Sequence, residues 1–334
     1  MPGRVLITSR SFLHEVPEAM QVLCDAGLEP VVQIRDVPWA EKDLTRMVVG
    51  VEGVVAGLDP FTARVLAAGS RLRIISRNGV GVDAIDVEAA SARGIYVTNA
   101  GPAVANSVAD LTLAMVLNLA RQIPQAWAET RAGQWRRRVG FDLAEKILGI
   151  IGTGHIGREV AARARAFGMH IVAHDAKPDR AWAAAASVDY LSLTDLLQRA
   201  DIVSLHVPLT PTTRDLVGWD QFCLMKPSAY LVNTSRGGVV NEQALYRALS
   251  AGLLAGAALD VLEEEPPQGS PLLTDPRVLI TPHIGSATRE ATVAACMIAA
   301  RNVSAVLTGG EPFSAVNLHA VTRRDSGDQS GACD

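Results

Sequence analysis

The chain reads as an α/β protein built from two doubly wound, parallel-sheet (Rossmann-like) domains. Three observations predict this. Short β-branched runs alternate with Ala/Leu-rich helical stretches almost throughout the 334 residues. The alternation then comes twice: one series of strands ends near Val97, and a second begins at Ile147. Finally, the second series opens on an apolar run that stops at spaced glycines, Gly152-x-Gly154-x-x-Gly157. The length is large for one domain and comfortable for two, and a 49% apolar composition can fill two cores.

In the first series, Val5-Leu6-Ile7, Val31 to Ile34, Val54-Val55, Ile74-Ile75 and Tyr96-Val97 read as strands. Glu15 to Ala26 and Thr62 to Ala68 read as helices between them. A longer helix, Val104 to Arg121, follows Gly101-Pro102. The second series runs Ile147–Ile151, Ile171–His174, Ile202–His206, Tyr230–Val232, Ala255–Leu259 and Val278–Ile280. Pro124, Gly133, Gly140 and Pro211 punctuate the loops, and no short-period repeat is visible. The last helical stretch, Ala287 to Leu307, has no strand after it to pair with. Thr322 to Asp334 is polar and rich in Gly and Ser, and reads as a frayed tail.

Each part of the glycine motif has a mechanical reason. Gly152 permits a tight turn, Gly154 lets the backbone approach a pyrophosphate, and Gly157 lets strand and helix pack closely. The helix expected over Arg158 to Phe167 would offer unpaired N–H groups and a partial positive charge to phosphates. His155 and Ile156 lie in that turn. Asp175 ends the next strand, 18 residues past Gly157. A carboxylate there accepts hydrogen bonds from a ribose diol and repels a 2′-phosphate, which favours NAD over NADP. Lys177 and Arg180, close behind, pull the other way.

Lys plus Arg number 31 against 35 Asp plus Glu, a net charge of −4 without a dense basic block, which argues against nucleic acid as a partner. The sequence shows no charged-plus-apolar leader, and no apolar run is expected to reach the ~20 residues of a membrane span. Cys24, Cys223, Cys296 and Cys333 are scattered without a C-x-x-C pair. They read as reduced, mostly buried thiols of a cytoplasmic protein, with no metal site.

Three further stretches carry a resemblance. They are Val232-Asn-Thr234-Ser-Arg236-Gly-Gly-Val-Val-Asn, Ala258-Leu-Asp260-Val-Leu-Glu-Glu-Glu265-Pro-Pro and Thr281-Pro-His283-Ile-Gly285-Ser. Arg77-Asn-Gly79-Val-Gly81-Val-Asp83 and Ser107-Val-Ala-Asp110 fit the same pattern. Over about residues 4 to 318 the chain resembles the D-isomer-specific 2-hydroxyacid dehydrogenases, nearest the phosphoglycerate dehydrogenase-like members. Leu119-Ala-Arg-Gln-Ile-Pro-Gln125 with Gly133-Gln-Trp135 is similar to that subgroup. The resemblance implies a discontinuous substrate-binding domain (1–99 and 289–320) and an inserted NAD-binding domain (100–288), and composition leaves 321–334 as a disordered tail. The resemblance also implies a homodimer, with the active site in the interdomain cleft.

The resemblance implies roles as well. Arg236 would grip the carboxylate of a small anionic 2-keto acid with its planar fork of donors. His283, whose residue type titrates near ~6.5, would give or take the proton, with Glu265 fixing its ring. Gly152, Gly154, His155, Ile156, Gly157 and Asp175 would hold the cofactor. His206-Val207-Pro208 would flank its adenine, although His206 alone also reads as a strand-end histidine bonded to backbone. Thr234 and the Asp260 carboxylate would hold its carboxamide, and Gly285 would let the backbone pass close. Val80 and Gly81 would offer N–H groups to the substrate carboxylate, beside Asn78 and Arg77. Arg77 would meet a second anionic group on the substrate, and reads equally as a surface arginine at a strand end.

The chain also departs from the subgroup. Where a phosphate-binding arginine is usual, it has Ala56-Gly-Leu-Asp59-Pro, and Asp59 would repel phosphate. Asp110-Leu111 replaces the usual Glu-His and reads as a helix contact. Arg136-Arg-Arg138 reads as a solvated run or as part of a dimer arm that reaches the partner's site. Two alternatives to a 2-hydroxyacid dehydrogenase share the scaffold and the same three residues: a phosphite- or phosphonate-type dehydrogenase, and an NADH-sensing, corepressor-like interaction protein.

Overall fold

The computed structural model describes residues 2–14 and 16–321. The expected tail, from Thr322 on, and Cys333 lie outside the described residues. The chain divides into two compact units, residues 1–104 with 287–334, and residues 105–286. The boundaries expected at 99/100 and 288/289 are replaced by divisions at 104/105 and 286/287.

The first unit runs β1 (Arg4–Ile7), α1 (Arg10–His14), α2 (Pro17–Asp25), β2 (Glu29–Val32), α3 (Glu41–Met47), β3 (Gly53–Ala56), α4 (Ala63–Ala68), β4 (Ile74–Arg77), α5 (Val87–Ala92) and β5 (Tyr96–Thr98). Its sheet is wholly parallel, in the order β2-β1-β3-β4-β5. Val5, Leu6, Ile7, Val54, Val55, Ile74 and Ile75 are fully buried, as strands covered on both faces must be. The helix expected over Glu15–Ala26 is α2, which starts at Pro17, and α1 before it is a further helix that the pattern did not predict. Pro17 has no N–H to donate, so it opens a new helix at its first turn. The strand expected at Val31–Ile34 lies two residues earlier, because Glu29–Val32 pairs in register with Arg4–Ile7. The C-terminal segment covers the β5 edge: Asn317 Oδ1 accepts from Val97 N at 2.9 Å, and its Nδ2 donates to Ile95 O at 2.9 Å.

The second unit begins within α6 (Gly101–Arg121) and continues through α7 (Ile123–Arg131), β6 (Ile147–Ile151), α8 (His155–Ala166), β7 (His170–His174), α9 (Arg180–Ala186), β8 (Asp189–Tyr190), α10 (Leu193–Arg199), β9 (Ile202–Leu205), α11 (Trp219–Leu224), β10 (Tyr230–Asn233), α12 (Glu242–Ser250), β11 (Gly256–Leu259) and β12 (Val278–Ile280). Its parallel sheet is ordered β12-β11-β10-β9-β6-β7-β8. The order reverses between β6 and β9, the kind of crevice where doubly wound sheets hold ligands. Side-chain N-caps set several helix starts: Asp179 for α9, Ser192 for α10 and Asn241 for α12. The final helix, α13 (Arg289–Leu307), belongs to the first unit. It buries Cys296, Ala299, Ala300, Val303 and Val306 in one core with Val5, Ile7 and Leu23.

Two expectations fail here. By length and composition alone, α6 and α13 are each apolar enough to cross a membrane. Their apolar residues serve the interior instead: Ala109, Leu113 and Val116 of α6 are buried in a core with Val160 and Ile171. Nor are the thiols mostly buried. Cys24 and Cys223 are exposed and only Cys296 is buried among the described cysteines. Arg138 is also more than a solvated charge. It holds Glu129 at 2.7 Å and Gln122 at 2.7 Å.

Candidate active site

The site residues of the second unit sit at the carboxyl ends of its strands. At the end of β6, Gly152 turns with φ +97°, and a Cβ there would lie 2.6 Å from His206 O. At Gly157 a Cβ would lie 2.1 Å from Gly152 O. Only hydrogen fits at either position, so the loop passes tightly between β9 and α8. The helix begins at His155, three residues before the expected start, because Gly154 already serves as its N-cap. No side chain caps it, and nothing lies within 4 Å of where a Gly154 Cβ would stand. His155 is exposed, Ile156 half-buried and Gly157 buried. An uncapped twelve-residue helix facing open space is what a diphosphate requires.

Asp175, just past β7, accepts from Thr153 N at 2.7 Å, Thr153 Oγ1 at 2.9 Å and Lys177 N at 2.8 Å. Burial would raise its pKa. The hydrogen bonds from Thr153 and Lys177, with His174 nearby, outweigh that and hold the carboxyl below its usual range. Lys177 thus supports the acid through its backbone N–H. These residues fit NAD: an open, uncapped helix end for the diphosphate and an ionised acceptor for the ribose.

His206 follows β9. Its Nε2 meets Ser204 Oγ at 2.8 Å, a side chain rather than the backbone expected of a structural histidine. Its Nδ1 is buried without a partner. Burial holds its pKa down to about 3, so the ring is neutral at working pH. Val207 packs toward the Gly152 turn and Pro208 is exposed.

The remaining residues follow β10, β11 and β12. Asn233 shapes the turn after β10, accepting from Ser235 N at 3.0 Å and donating to Arg236 O at 2.8 Å. That turn leaves the Arg236 side chain half-buried, with Nη1 on Ser235 O at 2.6 Å. At Gly237 a Cβ would lie within 2.0–2.3 Å of Leu262 C, Leu262 O and Glu263 N. The arginine's segment therefore lies directly against the segment carrying Glu265. Glu265 Oε1 accepts from Leu262 N at 3.0 Å, and Oε2 meets His283 Nδ1 at 2.7 Å. A carboxylate oxygen can only accept, so Nδ1 carries the hydrogen and Nε2 is the ring's working atom.

His283 itself has φ +53°, a left-handed conformation costing of order 1 kcal/mol for a residue other than glycine. Its N–H is shared between Asp260 O at 2.9 Å and Thr281 O at 3.0 Å. The Asp260 side chain is 2% exposed and holds the whole turn. It accepts from Thr281 Oγ1 at 2.5 Å, Ile284 N at 2.8 Å and Gly285 N at 2.7 Å. The carboxylate assigned to the carboxamide is thus already engaged by its own chain. The Thr234 hydroxyl pairs with Thr112 of α6 at 2.9 Å. A cavity of about 850 Å³ opens beside Asp260, Glu265, Thr281 and His283, walled by Leu262, Pro266, Pro267 and α7. A smaller cavity of about 370 Å³, beside Tyr230 and Arg277 at the amino ends of the strands, holds none of these residues.

The expected substrate loop follows β4 in the first unit. Neither Val80 N nor Gly81 N meets an acceptor among the described residues, which suits an anion. Asn78 is committed to the fold, its Nδ2 lying 2.7 Å from Ser9 Oγ and 2.9 Å from Ser11 Oγ. The Arg77 guanidinium folds back onto Asn78 O and over Gly79. Asp59 is turned inward, 3% exposed, and accepts from Trp39 N at 2.8 Å. Asp110 makes the expected helix contact, with Arg163 at 2.6 Å. Asn233, Gly237 and Thr112 gave little chemical signal in the sequence. An asparagine closing an apolar strand is the only one of the three that could have been flagged, as a turn former.

Comparison with known proteins gives this geometry its class. Residues 113–285 match the model described as D-isomer specific 2-hydroxyacid dehydrogenase, NAD binding domain. The D-3-phosphoglycerate dehydrogenase of Methanocaldococcus jannaschii is 41% identical over 327 residues, 97% of this chain and 61% of that protein. The glyoxylate reductase of Korarchaeum cryptofilum is 38% identical over 337 residues, 98% of this chain and 100% of that protein. The crystal structure of a glyoxylate reductase from Paecilomyes thermophila aligns with a TM-score of 0.87 at 30% identity, over 95% of this chain and 99% of that one. The chain belongs to the D-isomer specific 2-hydroxyacid dehydrogenases, a family of NAD-dependent oxidoreductases. It spans about three-fifths of the archaeal phosphoglycerate dehydrogenase and the whole length of the archaeal glyoxylate reductase.

Proposed function

We propose that the chain reduces a short 2-keto acid, or oxidises the corresponding D-2-hydroxy acid, with His283 and Glu265 as the acid/base pair and Arg236 as the substrate clamp. The 2.7 Å contact between His283 Nδ1 and Glu265 carries the proposal. It fixes the ring's orientation and leaves Nε2 to give a proton to the carbonyl oxygen, or to take one from the hydroxyl. NAD, held by the Gly152–Gly157 turn and Asp175, would supply or accept the hydride. Arg236 grips the carboxylate and polarises the carbonyl, and its charge is worth most in a site that excludes water.

Glyoxylate and hydroxypyruvate are the proposed substrates, ahead of a phosphorylated acid. Full-length alignment with a protein named glyoxylate reductase supports this, as does the loop after β3, Ala56-Gly-Leu-Asp59-Pro, which carries no phosphate-binding cation. Two copies are proposed to pair through residues 123–139, where Ile123, Trp127, Trp135 and Val139 are exposed. A monomer at micromolar concentration in light scattering would rule that out.

NADH consumption is measured against glyoxylate, hydroxypyruvate, pyruvate and 3-phosphohydroxypyruvate. His283→Gln and Arg236→Gln should each lower kcat by about 10²–10⁴ while NADH affinity stays within about twofold. Turnover within tenfold of wild type in either variant would defeat the assignment.

A further inference from the structure

We propose that Thr153 and Tyr190 are positioning residues for Asp175, and that the hydrogen-bond relay they form sets the preference for NAD over NADP. The inference rests on the NAD site described above. It follows from donor accounting, because each group in the relay has only one role open to it. The Asp175 carboxylate can only accept, so the single hydroxyl hydrogen of Thr153 goes to Asp175 Oδ2, 2.9 Å away. Thr153 Oγ1 must then accept in its contact with Tyr190 OH, at 2.7 Å. With the tyrosine's hydrogen so used, its oxygen accepts from Asp179 N at 3.2 Å. The relay therefore runs one way, Asp179 N–H to Tyr190 to Thr153 to the acid.

A second set of contacts holds the relay in place. Arg158 of α8 donates through Nε to Thr153 O at 2.8 Å and through Nη2 to Asp179 Oδ2 at 2.9 Å. The same guanidinium lies 4.9 Å from the ring centroid of Trp182, which tilts at 60° against Tyr190 with centroids 6.4 Å apart. Thr153 is thus braced from its carbonyl and its hydroxyl sides. Its N–H and hydroxyl both fall on Oδ2, while Oδ1 carries only Lys177 N. Oδ1 therefore keeps acceptor capacity for a ribose hydroxyl. A carboxylate pinned this way cannot rotate away from a 2′-phosphate, so it rejects NADP by fixed repulsion as well as attracting the diol. A mobile carboxylate would discriminate less.

The test measures Kd for NADH and for NADPH by fluorescence titration, with Tm as the folding control. Tyr190→Phe and Thr153→Val should each weaken NADH binding about fivefold and lower the NADPH/NADH Kd ratio several-fold. Thr153→Ser, which keeps the hydroxyl, should retain both values. Tyr190 acts through Thr153, so the double variant should match Thr153→Val rather than show the product of the two effects. Should Tyr190→Phe fail to fold, the Val and Ser variants at Thr153 carry the test alone. An unchanged ratio, or multiplicative loss in the double variant, overturns the relay. A wild-type protein that prefers NADPH would instead overturn the NAD reading itself.

Discussion

Replacing Asp260 by asparagine changes only one end of a side chain, yet three contacts depend on it. The carboxylate accepts three hydrogen bonds at 2.5, 2.8 and 2.7 Å while only 2% exposed. An amide offers one accepting oxygen. Placed at Oδ1, it keeps Thr281 Oγ1 and Ile284 N, and its NH₂ then faces the Gly285 N–H, donor against donor. Placed the other way, the NH₂ opposes the Ile284 N–H and the Thr281 hydroxyl must turn round to accept from it. The milder case loses one charge-assisted bond, about 1.5–3 kcal/mol, and leaves a buried N–H unsatisfied, about 1–3 kcal/mol more. The expected loss is about 3–5 kcal/mol, against a total stability of about 5–15 kcal/mol. For a unit of this size that lowers Tm by roughly ten degrees. The same turn holds His283 at φ +53°, so turnover should fall further than the folded fraction does. Thermal unfolding followed by circular dichroism, with kcat measured well below the transition, checks both parts. A Tm within two degrees of wild type, with unaltered kcat, would refute the argument that Asp260 holds the catalytic turn.

Two other variants probe the cofactor loop. Gly157→Ala puts a methyl 2.1 Å from the Gly152 carbonyl oxygen, and since that neighbour is backbone, helix or loop must move. A cost of about 1–3 kcal/mol is expected, with weaker NADH binding in titration, and wild-type affinity and Tm would count against the close-packing argument. His206 makes a prediction in pH. Its pKa is about 3 in the folded chain against an ordinary 6.5, so below 6.5 the unfolded chain binds more protons. Stability is therefore full above about pH 6.5 and declines as pH falls toward 3, by at most about 1.4 kcal/mol per unit. His206→Asn should flatten that decline between pH 6.5 and 5 in urea unfolding, and an unchanged slope would mean that the buried ring is not its source.

Much of the fold was legible because parallel strands buried on both faces must be apolar and short. β1, β3, β4, β6 and β12 fall where their β-branched runs do. The discrepancies lie where backbone chemistry outweighs hydrophobic pattern. Pro17 set the start of α2 two residues inside the expected span, and Gly154 started α8 a turn early by serving as its cap. β2 shifted because its partner strand, and not its own residues, sets the register. The exposed Cys24 and Cys223 show the same limit, since composition gives a residue type's habit and the fold decides the individual case.

By itself the sequence determined the residue types that this chemistry needs: glycines where only hydrogen fits, an acid after β7, and an arginine, a glutamate and a histidine in separate segments. Their spacing is a local property of the chain and can be read directly. The tertiary structure decided which of them meet. Gly237 lays the arginine's segment against Leu262 and Glu263, and Glu265 reaches His283 from 18 residues away. It also gave Asp260 three donors and Asp175 a braced threonine. Such pairings depend on how strand order and loop turns bring distant segments together in space, and no local pattern of residues encodes that.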